Sequence, residues 1–160
     1  MAIKVFLSHQ RADSAKAAEI SARLSSKHGI QSYLDVIDPY LGRPGEELAQ
    51  HIRDEMGKCS HLLAIVSYAT RESQWVPWEI GVATEKDFPL ASFANYTSAV
   101  PEFLRAWPYL RTLEDVDKYA EAASRGNNDF LQKRATMTES AAFKSGSQTF
   151  FSDLRTRLGQ

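Results

Sequence analysis

Three short apolar runs, "IKVFL" at 3–7, "IQSYLDV" at 30–36 and "HLLAIVS" at 61–67, recur at intervals too long for hairpins. The third is the most restrictive. It is apolar almost throughout, with no alternate polar positions to face water, as expected of a strand covered on both faces of a parallel sheet. Parallel neighbours need crossover connections, and the intervening segments supply them with helical periodicity. After the first run, "ADSAKAAEISARLSSKHG" carries Ala17, Ile20 and Leu24 on one stripe and a stop at Gly29. The second run has Ile30, Leu34 and Val36 on one face and is followed, after the breaker-rich "IDPYLGRPG", by "EELAQHIRDEMGK". There Leu48, Ile52 and Met56 stand four apart behind the acidic first turn of Glu46 and Glu47.

Beyond the third run the polar "YATRESQ" leads into "WVPWEIGVATEK". Pro77 is tolerated only in a first turn, where amides have no intrahelical partner, so the helix starts close to Trp75 or Pro77. "FPLASF" reads as a fourth strand, "VPEFLRAW" as a short helix opened by Pro101, and "PYLRT" as a fifth strand. "LEDVDKYAEAA" follows with Leu113, Val116 and Ala120 as its stripe, and Thr112 with Asp115 resembles a capping pair. Past Gly126 the pattern weakens, and residues 127–148 cannot be ordered from periodicity. "FFSDLRTRL" reads as a closing helix with Phe151, Leu154 and Leu158 inward.

Five strand–helix alternations give an α/β class: a flavodoxin-like, doubly wound, five-stranded parallel sheet flanked by helices. At 160 residues with 43% hydrophobic content, the chain fills one core, so residues 1–160 are expected to form a single domain. Ligands of such sheets bind beyond the C-terminal strand ends, near the switch in strand order, which selects the loops at Ser8–Asp13, Asp35–Gly45 and Ser67–Trp75.

Nineteen basic and twenty acidic residues, without a long run of either sign, leave no broad electrostatic footprint for nucleic acid or an anionic membrane surface. Cys59 is the single cysteine, which excludes an internal disulfide framework and fits a reducing compartment. His9, His28, His51 and His61 show no metal-ligand spacing, so no metal and no bound cofactor is expected. The apolar start, Ile3 to Leu7, is too short for a signal peptide, and no run approaches a membrane span, so a cytoplasmic location is expected.

The loops discriminate among doubly wound sites. After the first strand stands "SHQRAD", neither the G-x-G-x-x-G of a dinucleotide fold nor the G-x-x-x-x-G-K-[ST] of an NTPase. A phospho-receiver would need an acidic pair where Ser8-His9 stands and an aspartate where Ser67-Tyr68 stands.

Four stretches in order, "KVFLSHQRAD", "SYLDV", "GRPGEEL" and "QWVPWEIG", resemble the opening strand, second strand, second-strand loop and W-x-x-x-E helix of Toll/interleukin-1 receptor (TIR) domains. The resemblance runs over residues 3–93. Residues 94–123 complete that fold, and 124–160 form a C-terminal helical extension. TIR domains divide into interaction adaptors and enzymes that cleave the nicotinamide N-glycosidic bond of NAD. The enzymes carry a glutamate at the position of Glu79, so the resemblance nominates Glu79 as catalytic. The chemistry suits a lone carboxylate. Nicotinamide leaves as a neutral ring from a cationic linkage without a general acid, and a fixed negative charge stabilises the oxocarbenium character at the ribose.

The same resemblance places Phe6, Ser8, His9 and Arg11 at the nicotinamide-side nucleotide, although Ser8 equally turns the chain and Arg11 equally stands in solvent. Asp35 either holds the following loop or faces the ribose hydroxyls, and Arg43 either reads a phosphate or a neighbouring subunit or is solvated. Trp75 lines the site if it is helical and so one turn from Glu79. Trp78 reads as core. The size of the chain and the resemblance to stand-alone TIR proteins of Thoeris-type antiphage systems imply an NAD-derived messenger, of ADP-ribose or cyclic ADP-ribose type, for a separate effector protein. They imply self-association through TIR surfaces as well. The alternative is a non-catalytic TIR–TIR adaptor or scaffold. A nucleoside deoxyribosyltransferase-like enzyme shares fold and glutamate, but no nucleoside pocket is identifiable.

Overall fold

The computed structural model describes residues 2–36, 45–72, 75–94, 100 and 102–160, with 35, 36, 45, 71, 72, 75 and 103 as backbone alone. Among these residues, strands β1 (Lys4–His9), β2 (Gln31–Val36), β3 (His61–Val66), β4 (Leu90–Ala94) and β5 (Tyr109–Leu110) form one sheet in the order β2-β1-β3-β4-β5. All neighbouring pairs are parallel. The helices are α1 (Ser14–His28), α2 (Gly45–Gly57), α3 (Trp75–Glu85), α4 (Leu113–Lys133) and α5 (Glu139–Leu158). The expected α/β class and flavodoxin-like strand order are therefore present, with the switch between the adjacent strands β1 and β3.

The two-residue period of a strand divides the core in two. Val5 and Leu7 of β1 point to one face with Leu63 and Ile65 of β3. They pack with Ala17, Ile20 and Leu24 of α1, Val116 and Tyr119 of α4, and Phe150 and Leu154 of α5. Phe6, Leu62, Ala64 and Val66 point to the other face, under Leu48, Ile52 and Met56 of α2 and Val76, Ile80 and Ala83 of α3. The central strand β3 is buried at every position, as its nearly continuous apolar run requires.

Local signals place the ends. Gly29 stops α1 in the left-handed conformation at φ 63°, where a side chain would be strained. A capping box starts α4: the Thr112 hydroxyl accepts from the Asp115 amide, and the Asp115 carboxylate accepts from the Thr112 amide.

Four expectations change. "VPEFLRAW" holds a 3₁₀ turn at Glu102–Leu104 in place of a short helix. Leu34 is 39% exposed, because β2 is the edge strand and its opposite-facing neighbour Tyr33 packs on Phe6 instead. Trp78 is half-buried, not fully core: it packs against the α2–α3 cluster, with the Arg53 guanidinium 5.6 Å from its ring centroid. The unordered stretch 127–148 lies in two long helices and the turn at 134–138 between them. Gly126 and Gly146 lie inside α4 and α5, not in loops, and mark where the helices cross. A Cβ on Gly126 would stand 2.6 Å from the Gly146 carbonyl oxygen, and one on Gly146 would stand 2.7 Å from that of Gly126. Here glycine is retained because backbone meets backbone.

Candidate active site

Ser8 shares the strand face of Phe6, the face covered by α2 and α3. On α3 the inward stripe is Val76, Glu79, Ile80 and Ala83, the i, i+3, i+4, i+7 spacing of one helix face. Glu79 therefore points at the sheet and has no exposed surface. The Ser8 hydroxyl donates to Glu79 Oε2, and both side chains are fully buried. A buried carboxylate is costly unless hydrogen-bonded, so this bond both lowers that cost and sets the orientation of the group.

The pair lies at the switch point. Ser8 stands in register between Ala64 of β3 and Asp35 of β2, one residue before the end of β1. The loops leaving β1 and β3 enter 3₁₀ turns, Arg11–Asp13 and Tyr68–Glu72, above the C-terminal strand ends. Between the two turns the Ser67 hydroxyl donates to Asp13 Oδ2 at 2.7 Å. Ser67 is secured in turn: its amide donates to Thr70 Oγ1 at 2.9 Å, and its hydroxyl accepts from the Ala69 amide at 3.2 Å. Asp13 and Ser67 lie in loops expected near the strand ends, but neither was nominated as a site residue. The "RAD" preceding a helix reads as an N-cap, and only the fold shows that the carboxylate reaches the neighbouring loop.

The other nominated residues distribute as follows. Phe6 is fully buried in the α2–α3 core, its ring centroid 5.5 Å from that of Tyr33, so it lies beneath Ser8 as packing. His9 follows Ser8 and so faces the opposite side of the sheet. It is buried, and its Nδ1–H donates to the Leu7 carbonyl at 2.9 Å. Arg11 is exposed on the 3₁₀ turn that follows β1. The backbone of Asp35 pairs beside Ser8, while its side chain and all of Arg43 lie outside the described residues. Trp75 is the first residue of α3, with Pro77 in the first turn, so residues 75 and 79 are one helical turn apart; the Trp75 side chain is outside the described residues. Among the described residues no group of three or more His, Cys, Asp or Glu is placed to hold a metal ion. No described helix is long and apolar enough to cross a membrane.

A doubly wound parallel sheet with a buried, hydroxyl-braced carboxylate at its switch point defines an α/β domain of the flavodoxin-like class. Residues 5–127 match the family model described as TIR domain, and the chain belongs to that family. Comparisons with curated proteins and with solved structures returned no match.

Proposed function

We propose that the protein cleaves the nicotinamide N-glycosidic bond of NAD, with Glu79 as the catalytic carboxylate. The observation that supports this reading most is the full burial of Glu79 at the switch point, with its Oε2 held by Ser8. A carboxylate needed only for solubility has no reason to be there. As the C1′–N bond breaks, the electron pair leaves with nicotinamide, which departs neutral, and positive charge develops on the ribose. Glu79 stabilises that charge from a site where water is excluded and electrostatic interactions are strong. Ser8 fixes the carboxylate before the reaction, so little reorganisation is needed as charge develops. The cationic carbon is then captured by water, giving ADP-ribose, or by a nucleophile of the same molecule, giving a cyclic product. NAD is the substrate, and no bound cofactor takes part.

In the cell, this activity acts in the cytoplasm of a bacterium as part of antiphage defence. It generates a nucleotide messenger for a separate effector, with self-association of TIR surfaces controlling activity. A second reading, a non-catalytic adaptor, draws on the same burial: a Glu79 with no exposure also serves as a bolt between α3 and β1. The two readings separate in Glu79→Gln, which keeps the shape and a hydrogen-bond acceptor for Ser8. An enzyme loses NAD cleavage with its fold intact, whereas an adaptor shows no cleavage in either form.

A further inference from the structure

Two hydroxyl–carboxylate bonds link the β1 and β3 sides of the switch point in opposite senses. Ser8, on β1, donates to Glu79 on the helix that follows β3; Ser67, just after β3, donates to Asp13 on the turn that follows β1. Asp13 occupies the N-cap position of α1, where a carboxylate ordinarily accepts the first free amides of the helix, yet it makes no such bond. Its Oδ2 is used on Ser67 instead. An ionised carboxylate only accepts, so the Ser67 proton is committed to Asp13 and the Ser67 oxygen remains open to the Ala69 amide. Thr70, buried in the same turn, closes the set: its hydroxyl donates to the Ile65 carbonyl at 3.4 Å and its amide to the Ser67 carbonyl at 3.1 Å. This turn is the approach to α3. Asp13, by contrast, is anchored to α1, which packs on the opposite face of the sheet from α3.

We propose that Asp13 is a positioning residue for Glu79: through Ser67 it ties the turn preceding α3 to the start of α1, and so sets where α3 presents its carboxylate. Asp13 touches no reacting atom. The proposal rests on the reading of Glu79 as the catalytic carboxylate, but its mechanical part stands on the two bonds alone.

The test compares the wild type with Asp13→Ala, Ser67→Ala, the double variant and Asp13→Asn, whose amide oxygen still accepts from Ser67. Amide hydrogen exchange is followed over 67–70 and 76–83, and NAD cleavage is measured on the same samples. Each alanine variant is expected to speed exchange in both segments by roughly tenfold, with the double variant no faster than either single, because one bond is being removed twice. Asp13→Asn restores most of the protection. Where NAD is cleaved, kcat falls roughly tenfold in the alanine variants while KM stays within about twofold, the pattern of a lost transition-state interaction. Unchanged exchange over 76–83, additive effects in the double variant, or a rise in KM at constant kcat overturns the proposal. If Asp13→Ala fails to fold, Ser67→Ala against Asp13→Asn decides on the same criteria. A wild type that leaves NAD intact defeats the glycohydrolase reading, while the exchange pattern still supports or overturns the role of Asp13.

Discussion

His61 gives the structure a defined pH response. It sits on β3, 4% exposed, between the rings of Tyr119 and Phe150, with its Nδ1 at 2.9 Å from the Ser60 hydroxyl. Its Nε2 has no hydrogen-bond partner among the described residues, and the ring lines a cavity of about 20 Å³ beside the α4–α5 crossing. Burial pushes its pKa down from 6.5 to about 3. The unfolded chain therefore takes up a proton below pH 6.5 that the folded chain refuses until about pH 3. Stability is full above pH 6.5 and falls as the pH drops through that window. At 1.36 kcal/mol per unit, the whole interval corresponds to about 5 kcal/mol, of which about 2 kcal/mol has gone by pH 5. Asp115 and Asp117, whose carboxyls are held below the usual range, lose their contribution only below about pH 5, so they leave the interval from pH 7 to 5 to His61. Urea unfolding followed by circular dichroism at pH 7, 6 and 5 measures the loss. His61→Asn keeps a partner for Ser60 but cannot take the charge. It is expected to be less stable than the wild type at pH 7, through the volume it leaves, and to lose about 2 kcal/mol less between pH 7 and 5. Equal pH slopes for the two proteins would refute the reasoning.

Three further outcomes follow from the packing and the site. Gly126→Ala forces a Cβ against the Gly146 backbone oxygen, which has no side-chain freedom to yield; denaturant titration should show a loss of about 1–3 kcal/mol, and an unchanged midpoint would contradict the close crossing. Asp117 gathers Arg23, Lys27 and His28, bonding Arg23 through both carboxylate oxygens, and the Arg23 bond is the largest cause holding its carboxyl below the usual range. Asp117→Ala should lower Tm by roughly 2–4 °C, less in high salt because the cluster is partly exposed, and an identical melt would show that the cluster adds nothing. Ser8→Ala leaves Glu79 without its brace and is expected to reduce NAD cleavage roughly tenfold with the fold retained, measured as initial rates; full activity would remove Ser8 from the site.

Much of this architecture was legible because its signals are local. The nearly continuous apolar run at 61–66 marked a doubly covered strand, Gly29 and the Thr112–Asp115 pair marked helix ends, and Pro77 located the start of α3 to within two residues. What was not legible depends on partners distant in sequence. Gly126 reads as a break in isolation, and becomes a helix interior only because Gly146, twenty positions away, approaches it. At the candidate site, the strand end and Glu79 were nominated from element order and resemblance. The division of labour at that strand end was not, because it follows from which face each residue of β1 meets: Phe6 is packing, Ser8 braces the carboxylate, and His9 faces the other layer. The Asp13–Ser67 bond joins residues 54 apart, and no pattern in either stretch announces it.

The central claim is that the buried carboxylate of Glu79 acts on the nicotinamide ribose. The most direct measurement incubates the wild type and Glu79→Gln with NAD, identifies products by mass spectrometry, and records circular dichroism of both proteins. The wild type should release nicotinamide together with ADP-ribose or a cyclic isomer. Glu79→Gln should be slower by roughly 10² to 10³ with an unchanged spectrum, the effect of removing one well-placed electrostatic group. Undiminished cleavage by the folded variant would contradict the account.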